Sequence, residues 1–441
     1  MREPTSLTDA DSQAEVRSDP VGGLLAILLA IGPPPTHDGP GCEAWVAQRA
    51  RELALAPQPP AAPLTVETPG LATFDLAIWT RFSGATPQST EESGPRFAAA
   101  VEGRAPVATA PELVKAAERL EPELHTVLRA ARGSQNRLPA GFQVWSVFDD
   151  WKEQASTLDL QAAVRLSLIR GRAALESGET SRALESCIGS LGLLRASAGT
   201  SLIGRMVAAA WGPRTRTFCL ETARQATPAR RQELQAAAAA LRIGWPSLAN
   251  TLEQELVFAQ VAFFARYWSD ETRTQLPPEA LHLMEVVGRK QNTGSWFHKI
   301  RRTLFSRTAG REQCLHAAHG IEAIDGPLAP ADQALREMGD APFFVRLADV
   351  DDSPGETERW VRLLRRVRRL ETDLELLRVG LGLWAFHDAR GSWPASLEVV
   401  GRFIDRRTDL PLVLEQSGDS VRVVARAVPT LAAEELSISL P

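Results

Sequence analysis

Cys314-Leu315-His316-Ala317-Ala318-His319 is the one stretch whose residue types and spacing suit metal chemistry. His316 and His319 are three apart and share a helix face, and Cys314 joins them after a local bend, giving two nitrogen ligands and one sulfur ligand for zinc. A glutamate between the histidines, which metalloprotease chemistry needs, is missing, and so is a partner motif at a defined spacing. The competing reading is two helical histidines placed by chance. Glu253 and Glu255 are two apart and point in different directions on a helix, so they cannot form a close carboxylate dyad. Glu253 reads instead as a buried polar anchor. Trp296, His298, Lys299, Arg301 and Arg302 make a small basic and aromatic patch, suited to an anionic group or else a solvated helix face.

The densest positive charge runs from Trp360 to Leu370. Arg362, Arg365, Arg366 and Arg369 share one stripe of a helix, and Trp360, Leu363, Leu364, Val367 and Leu370 share the opposite one. Such a helix lies on an anionic membrane or binds an acidic partner. The alternative is pairing of the arginines with Asp349, Asp351, Asp352, Glu356 and Glu358 upstream. No Gly-rich phosphate loop, GxSxG elbow, paired CxxC motif or HExxH motif occurs in the chain. No residue is therefore assigned as catalytic, cofactor-binding or metal-binding, and no cofactor is expected.

The elements that would position these residues are helical. Residues 1–110 open with the uncharged run Val21 to Gly32 and continue as a Pro-rich linker or strap. Between the prolines, Cys42 to Ala56 and Leu71 to Phe82 are short enough and apolar enough for brief helices. Residues 111–345 form a helical domain. Leu113, Ala116, Ala117, Leu120, Leu124, Val127 and Leu128 keep three-and-four spacing, predicting one helix from Pro111 to near Gly133. A helix from Leu158 to Ser177 stops at Gly178, and the next starts at Thr180, directing Ala183, Leu184, Cys187, Ile188, Leu191 and Leu194 inward. Further helices are expected over Thr200 to Trp211, Pro228 to Arg242 and Pro246 to Trp268. The last is apolar nearly all round and belongs inside a bundle. Residues 356–441 read as a long amphipathic helix to Arg390, a Gly391-Ser392-Trp393-Pro394 stop and restart, a second helix to Ile404, and strands Pro411 to Gln416 and Ser420 to Arg426.

A net charge of −5 argues against a surface that binds nucleic acid. Only Lys115, Lys152, Lys290 and Lys299 among the 49 basic residues are lysines, a skew that a GC-rich genome explains. Cys42, Cys187, Cys219 and Cys314 are widely separated and predict no disulfide framework; Cys187, on an apolar helix face, reads as a buried structural thiol. The redox compartment stays open. Residues 21–32 have the length of a signal-peptide core and are too short to span a bilayer unaided, yet acidic residues precede them and Pro33 follows. An anchor or signal and a short buried helix both remain open.

Gly171 to Glu185 resembles one tetratricopeptide-type hairpin, with small residues in the first helix and Gly at the turn, but no second copy follows at the expected period. The order of helix, Gly-Ser-Trp-Pro-Ala-Ser-Leu-Glu, short helix and hairpin resembles the segment after the first helix in type II secretion pseudopilins. The calcium-holding acidic loop of that family is replaced here by Arg406-Arg407-Thr408-Asp409-Leu410-Pro411. Leu128 to Arg132, Pro139 to Trp145 and Leu166 to Ala198 look like recurrent blocks of an uncharacterised group of helical, often membrane-anchored proteins of GC-rich bacteria. No functional residue carries over from either. The expectation is a mostly α-helical bundle of antiparallel hairpins with a small C-terminal α+β cap. Its expected role is a non-enzymatic scaffold or protein-binding protein, favoured for the cell envelope. A metal-dependent hydrolase built on Cys314, His316 and His319 is one alternative. A membrane binder acting through residues 21–32 or 360–370 is another.

Overall fold

The computed structural model describes residues 42–55, 64, 81–82, 84–133, 157–200, 202–242, 247–261, 265, 268–291, 356–428 and 433–441. These residues form a mostly α-helical protein with a small antiparallel sheet at the C-terminus. In chain order the helices are α1 (Cys42–Leu55), α2 (Ser93–Glu102), α3 (Pro111–Arg119), α4 (Glu121–Arg132), α5 (Thr157–Glu176) and α6 (Thr180–Thr200). They continue with α7 (Leu202–Gln225), α8 (Pro228–Arg242), α9 (Leu248–Ala259), α10 (Asp270–Arg273), α11 (Pro278–Gln291) and α12 (Glu356–Arg390).

Helix α6 is the centre. Every residue from Ser186 to Ala198 is buried, which follows from small and apolar side chains at every position but Arg195. It packs against α5, α7 and α4, and α7 and α8 pack in turn on α12. The α5–α6 hairpin turns at Gly178, whose φ of +80° is a conformation that favours glycine. Close approach to α4 depends on Gly192: a Cβ there would stand 2.2 Å from the Ala131 carbonyl oxygen. A second, smaller core joins α1, α9 and α11 through Val46, Ala47, Ala50, Val257, Ala280 and Leu283. Glu253 is the expected polar anchor of α9, reaching α1 through Arg49 Nη2 at 2.6 Å.

Several element boundaries differ from the sequence expectation. The helix expected from Pro111 to Gly133 is two helices, because Pro122 starts a new one and lacks the N–H that a continuous helix would use. Helix α7 does not stop at Trp211 but continues through Pro213 to Gln225. Packing against α6 and α12 outweighs the hydrogen bond that proline removes. Of the helix expected to reach Trp268, the α-helical part runs from Leu248 to Ala259 and continues as a π turn at Gln260 and Val261; residues 262–264 and 266–267 lie outside the described residues. Within the Pro-rich region α2 is a further helix, and its Phe97, Ala100 and Val101 lie in the main core.

At the C-terminus Gly391, at φ +71°, ends α12. The expected second helix from Pro394 is only a 3₁₀ turn, Leu397–Val399. Strands β1 (Val413–Ser417) and β2 (Ser420–Ala425) form the expected hairpin, and Gly418 at φ +60° takes the first position of its two-residue turn. The sequence reading missed β3 (Leu436–Leu440), which pairs with β2 so that Val423 faces Ile438. The sheet sits on α12 where Gly380 leaves room; a Cβ there would lie 2.8 Å from Ile438 Cδ1.

Replacing Gly192 with Ala is expected to lower stability by about 1–3 kcal/mol, the usual cost of overpacking. Gly84→Ala, with nothing within 4 Å of the added methyl, should be near neutral. Equilibrium denaturant unfolding of the two variants reads the difference.

Candidate functional site

The most chemically loaded region joins α12 to the C-terminal cap. Asp405 is 1% exposed, and its carboxylate receives Arg407 Nε at 3.0 Å and Nη2 at 2.9 Å. The Arg407 backbone N–H donates to the same carboxylate at 3.0 Å, and the hydroxyls of Thr372 and Thr408 donate at 2.7 and 3.1 Å. Thr372 lies on α12 and also accepts the Arg406 N–H at 3.1 Å, so one side chain ties the long helix to the loop before β1. A carboxylate with this many donors is satisfied without an external cation, and the positive charge comes from the chain itself.

Next to it on α12, Asp373 is also 1% exposed and is hydrogen-bonded by Arg216 from α7. Burial raises the Asp373 carboxyl above its ordinary value; Arg216, Arg369 and Arg407 pull it back down and the charge on Asp405 adds to the rise. Its second carboxylate oxygen is buried with no hydrogen-bond partner. Asp373 and Asp405 are thus two buried carboxylates in different surroundings, the first with an oxygen that has no donor and the second surrounded by donors. Both side chains are sealed from solvent, and the arrangement works as a latch that fixes α7, α12 and the cap together.

A second network joins α4, α5 and α6. Arg170, 4% exposed in its side chain, spans Glu121 and Glu185, and Arg182 adds a second guanidinium to Glu121. Burial alone would raise the Glu121 carboxyl, but the hydrogen bonds from Arg170 and Arg182 outweigh it and hold it below the ordinary carboxylate range. Ser186 on α6 accepts from Arg170 Nη1 at 2.8 Å, and Ser167 and Ser190 share a buried hydrogen bond, also of 2.8 Å, between α5 and α6.

The Gly391-Ser392-Trp393-Pro394 segment closes the other end of α12. Trp393 Nε1–H donates to the Asp419 carbonyl at 2.8 Å, holding the hairpin tip, and its ring lies 5.3 Å from that of Trp384 and 4.4 Å from that of His387. Arg231 from α8 stacks over Trp384 at 5.0 Å and forks onto Asp388 at 2.6 and 2.7 Å.

The expected metal segment at Cys314, His316 and His319, the basic patch around His298 and residues 21–32 lie outside the described residues. Among the described residues, no group of three or more His, Cys, Asp or Glu side chains could hold a metal ion. No helix among them is long and apolar enough to cross a membrane. Of the arginine stripe, Arg366 and Arg369 are exposed, while Arg368, outside the expected stripe, is buried and paired with Glu371 at 3.0 Å. Leu364, Val367 and Leu370 of the apolar stripe are buried within the protein. The side chains of Trp360, Arg362 and Leu363 are not among those described.

Cys187 is not a free thiol. It forms a disulfide with Cys219, across α6 and α7, with Cα atoms 5.3 Å apart and both residues fully buried. Cys187 and Cys219 lie on the two helices that flank the connection between Thr200 and Leu202, and the packing of α6 on α7 brings their Cα atoms within 5.3 Å. Ending α7 at Trp211 hid that signal, because Cys219 then belonged to no helix. The buried Thr372, Asp373 and Asp405 were missed for a related reason: in sequence they look like ordinary polar residues of a helix face and a turn.

No protein-family model matches this chain, and no match is found among the curated proteins or the solved structures.

Asp405→Ala is expected to lower stability by about 3–5 kcal/mol, because it leaves Arg407 buried without its partner. Thr372→Val should cost about 1 kcal/mol. Glu121→Gln should cost about 2 kcal/mol at pH 7. The depressed Glu121 carboxyl contributes stability that is present above its unfolded value of 4.5 and lost as pH falls through the lower folded value. The gap between Glu121→Gln and the parent chain should therefore close as pH falls below 4.5, which unfolding curves recorded from pH 7 to pH 3 would show.

Proposed function

We propose that the chain is a non-enzymatic helical scaffold or protein-binding protein of the cell envelope. The observation that carries the address is the Cys187–Cys219 disulfide, buried in the main core between its two central helices. Disulfides persist in oxidising compartments and are rare where thiols are kept reduced. The sequence resemblance of the segment from Gly391 to Glu398 to pseudopilins fits the same address, although the short helix of that pattern is a 3₁₀ turn here. The scaffold reading rests on where the buried chemistry is used: Asp373, Glu121 and their arginines join helices to each other, and Asp405 with Arg407 and Thr372 joins α12 to the C-terminal cap.

Alkylation of thiols in intact cells of the native host, followed by proteolysis and mass spectrometry without reductant, tests the address. The expected result is recovery of the Cys187 and Cys219 peptides as one linked species, with the protein in the envelope fraction. Both cysteines alkylated, or the protein in the cytosolic fraction, would remove the envelope reading. Closing a loop with a sequence separation of 32 residues predicts that Cys187→Ser with Cys219→Ser lowers stability by about 3–4 kcal/mol. Thermal unfolding of the double variant checks that figure. The protein-binding half is tested by crosslinking in the same cells, where a discrete partner band supports it and an exclusively uncrosslinked chain contradicts it.

A further inference from the structure

Trp211 on α7 carries two guanidinium groups. Arg214 Cζ, from the next turn of the same helix, lies 5.3 Å from the ring centroid, and Arg165 Cζ, from α5, lies 6.0 Å from it. The ring is held in place by the apolar residues Leu194, Ala198, Ala208 and Leu370 behind it. Its neighbours supply little negative charge. Glu102 at the end of α2 is shared: its Oε1 takes Arg214 Nε and Nη2 at 3.0 and 2.8 Å, and its Oε2 takes Arg104 Nε at 2.7 Å. The next acid along α7, Glu221, is engaged by Arg172, about two turns further along α5.

Arg165 is left over. No hydrogen bond or ion pair reaches its guanidinium among the described residues, although the side chain is half-buried on a core helix. Burial and then the nearby charge of Arg214 lower its pKa, as expected for a cation that has like charge beside it and no acid. Arg104 and Arg214 therefore share the single carboxylate of Glu102 while Arg165 has none, and the cation–π contacts of Arg165 and Arg214 with Trp211 only partly offset the excess. A planar fork with unused donors, fixed against an aromatic ring next to a second guanidinium, is the usual means of holding a tetrahedral oxyanion.

We propose that Arg165, Arg214 and Trp211 form a binding site for a phosphate-type oxyanion, free or carried on a small organic group, with Arg165 as its principal donor. The site is independent of the envelope and scaffold reading.

Isothermal titration of the whole protein with inorganic phosphate, and separately with glycerol 3-phosphate, at constant ionic strength tests this. Saturable binding of either probe with a dissociation constant on the order of 1 mM or tighter is expected, and the stronger probe identifies the form of the ligand. Arg165→Gln should weaken it at least about tenfold, and Arg165→Lys, which keeps the charge but not the fork, should weaken it severalfold. Arg96→Gln, on an exposed pair with Glu112, should bind as the parent chain does. Failure of both probes to saturate by about 10 mM, or equal binding by Arg165→Lys and the parent, would overturn the proposal.

Discussion

The complete burial of α6 constrains everything else in this protein. A helix enclosed along thirteen consecutive positions, from Ser186 to Ala198, must be covered on every side, and α4, α5 and α7 provide that cover. Small residues make it geometrically feasible: Gly189 meets Leu128, Gly192 meets the Ala131 backbone, and Gly171 on α5 meets the Phe218 ring of α7. At each of these points a methyl group would have to displace a neighbour, so the bundle depends on the absence of side chains as much as on their presence. The Cys187–Cys219 bond fixes the same core covalently by joining α6 to α7.

Charges are buried around this centre rather than kept outside it. Arg170, Arg172, Arg195 and Arg205 all lie within helices of the main bundle, each at most 5% exposed. Burial of a cation is tolerable only when partners replace its water, and Glu121 with Glu185, Glu221, the Gly133 carbonyl and the Thr251 hydroxyl do so. The latch of Thr372, Asp405 and Arg407 repeats this solution at the junction with the C-terminal cap. Arginine suits the role better than lysine because its fork satisfies two acceptors at once, which gives a structural use to the sequence's preference for arginine. Arg165 differs from them in having no hydrogen-bond or ion-pair partner among the described residues.

Much of the fold was legible in the sequence. The helical stretches that became α5, α6 and α8 were read near their observed bounds, α3 and α4 were read as one helix, and Gly178, Gly391 and Gly418 marked turns that the backbone makes with positive φ. What the sequence hid follows from tertiary packing overriding local rules. Pro213 lies inside a helix because α6 and α12 hold it there, and Pro122 divides an apolar stripe whose periodicity continues across the break. The pairing of strand β3 with β2 is not a local signal. The latch was least visible, since Thr372, Asp405 and Arg407 become a site only when α12 and the loop before β1 meet. The metal reading of Cys314, His316 and His319 lies on a segment outside the described residues.

Native-state hydrogen exchange tests the central claim most directly, since it reads the opening free energy of each segment of the folded chain. The backbone amides from Ser186 to Ala198 should be the slowest in the protein, exchanging only through global unfolding, and should lose protection when the Cys187–Cys219 bond is reduced. Exchange of these amides as fast as those of the exposed β1 hairpin would contradict the account, because α6 would then not be the element on which the other helices depend.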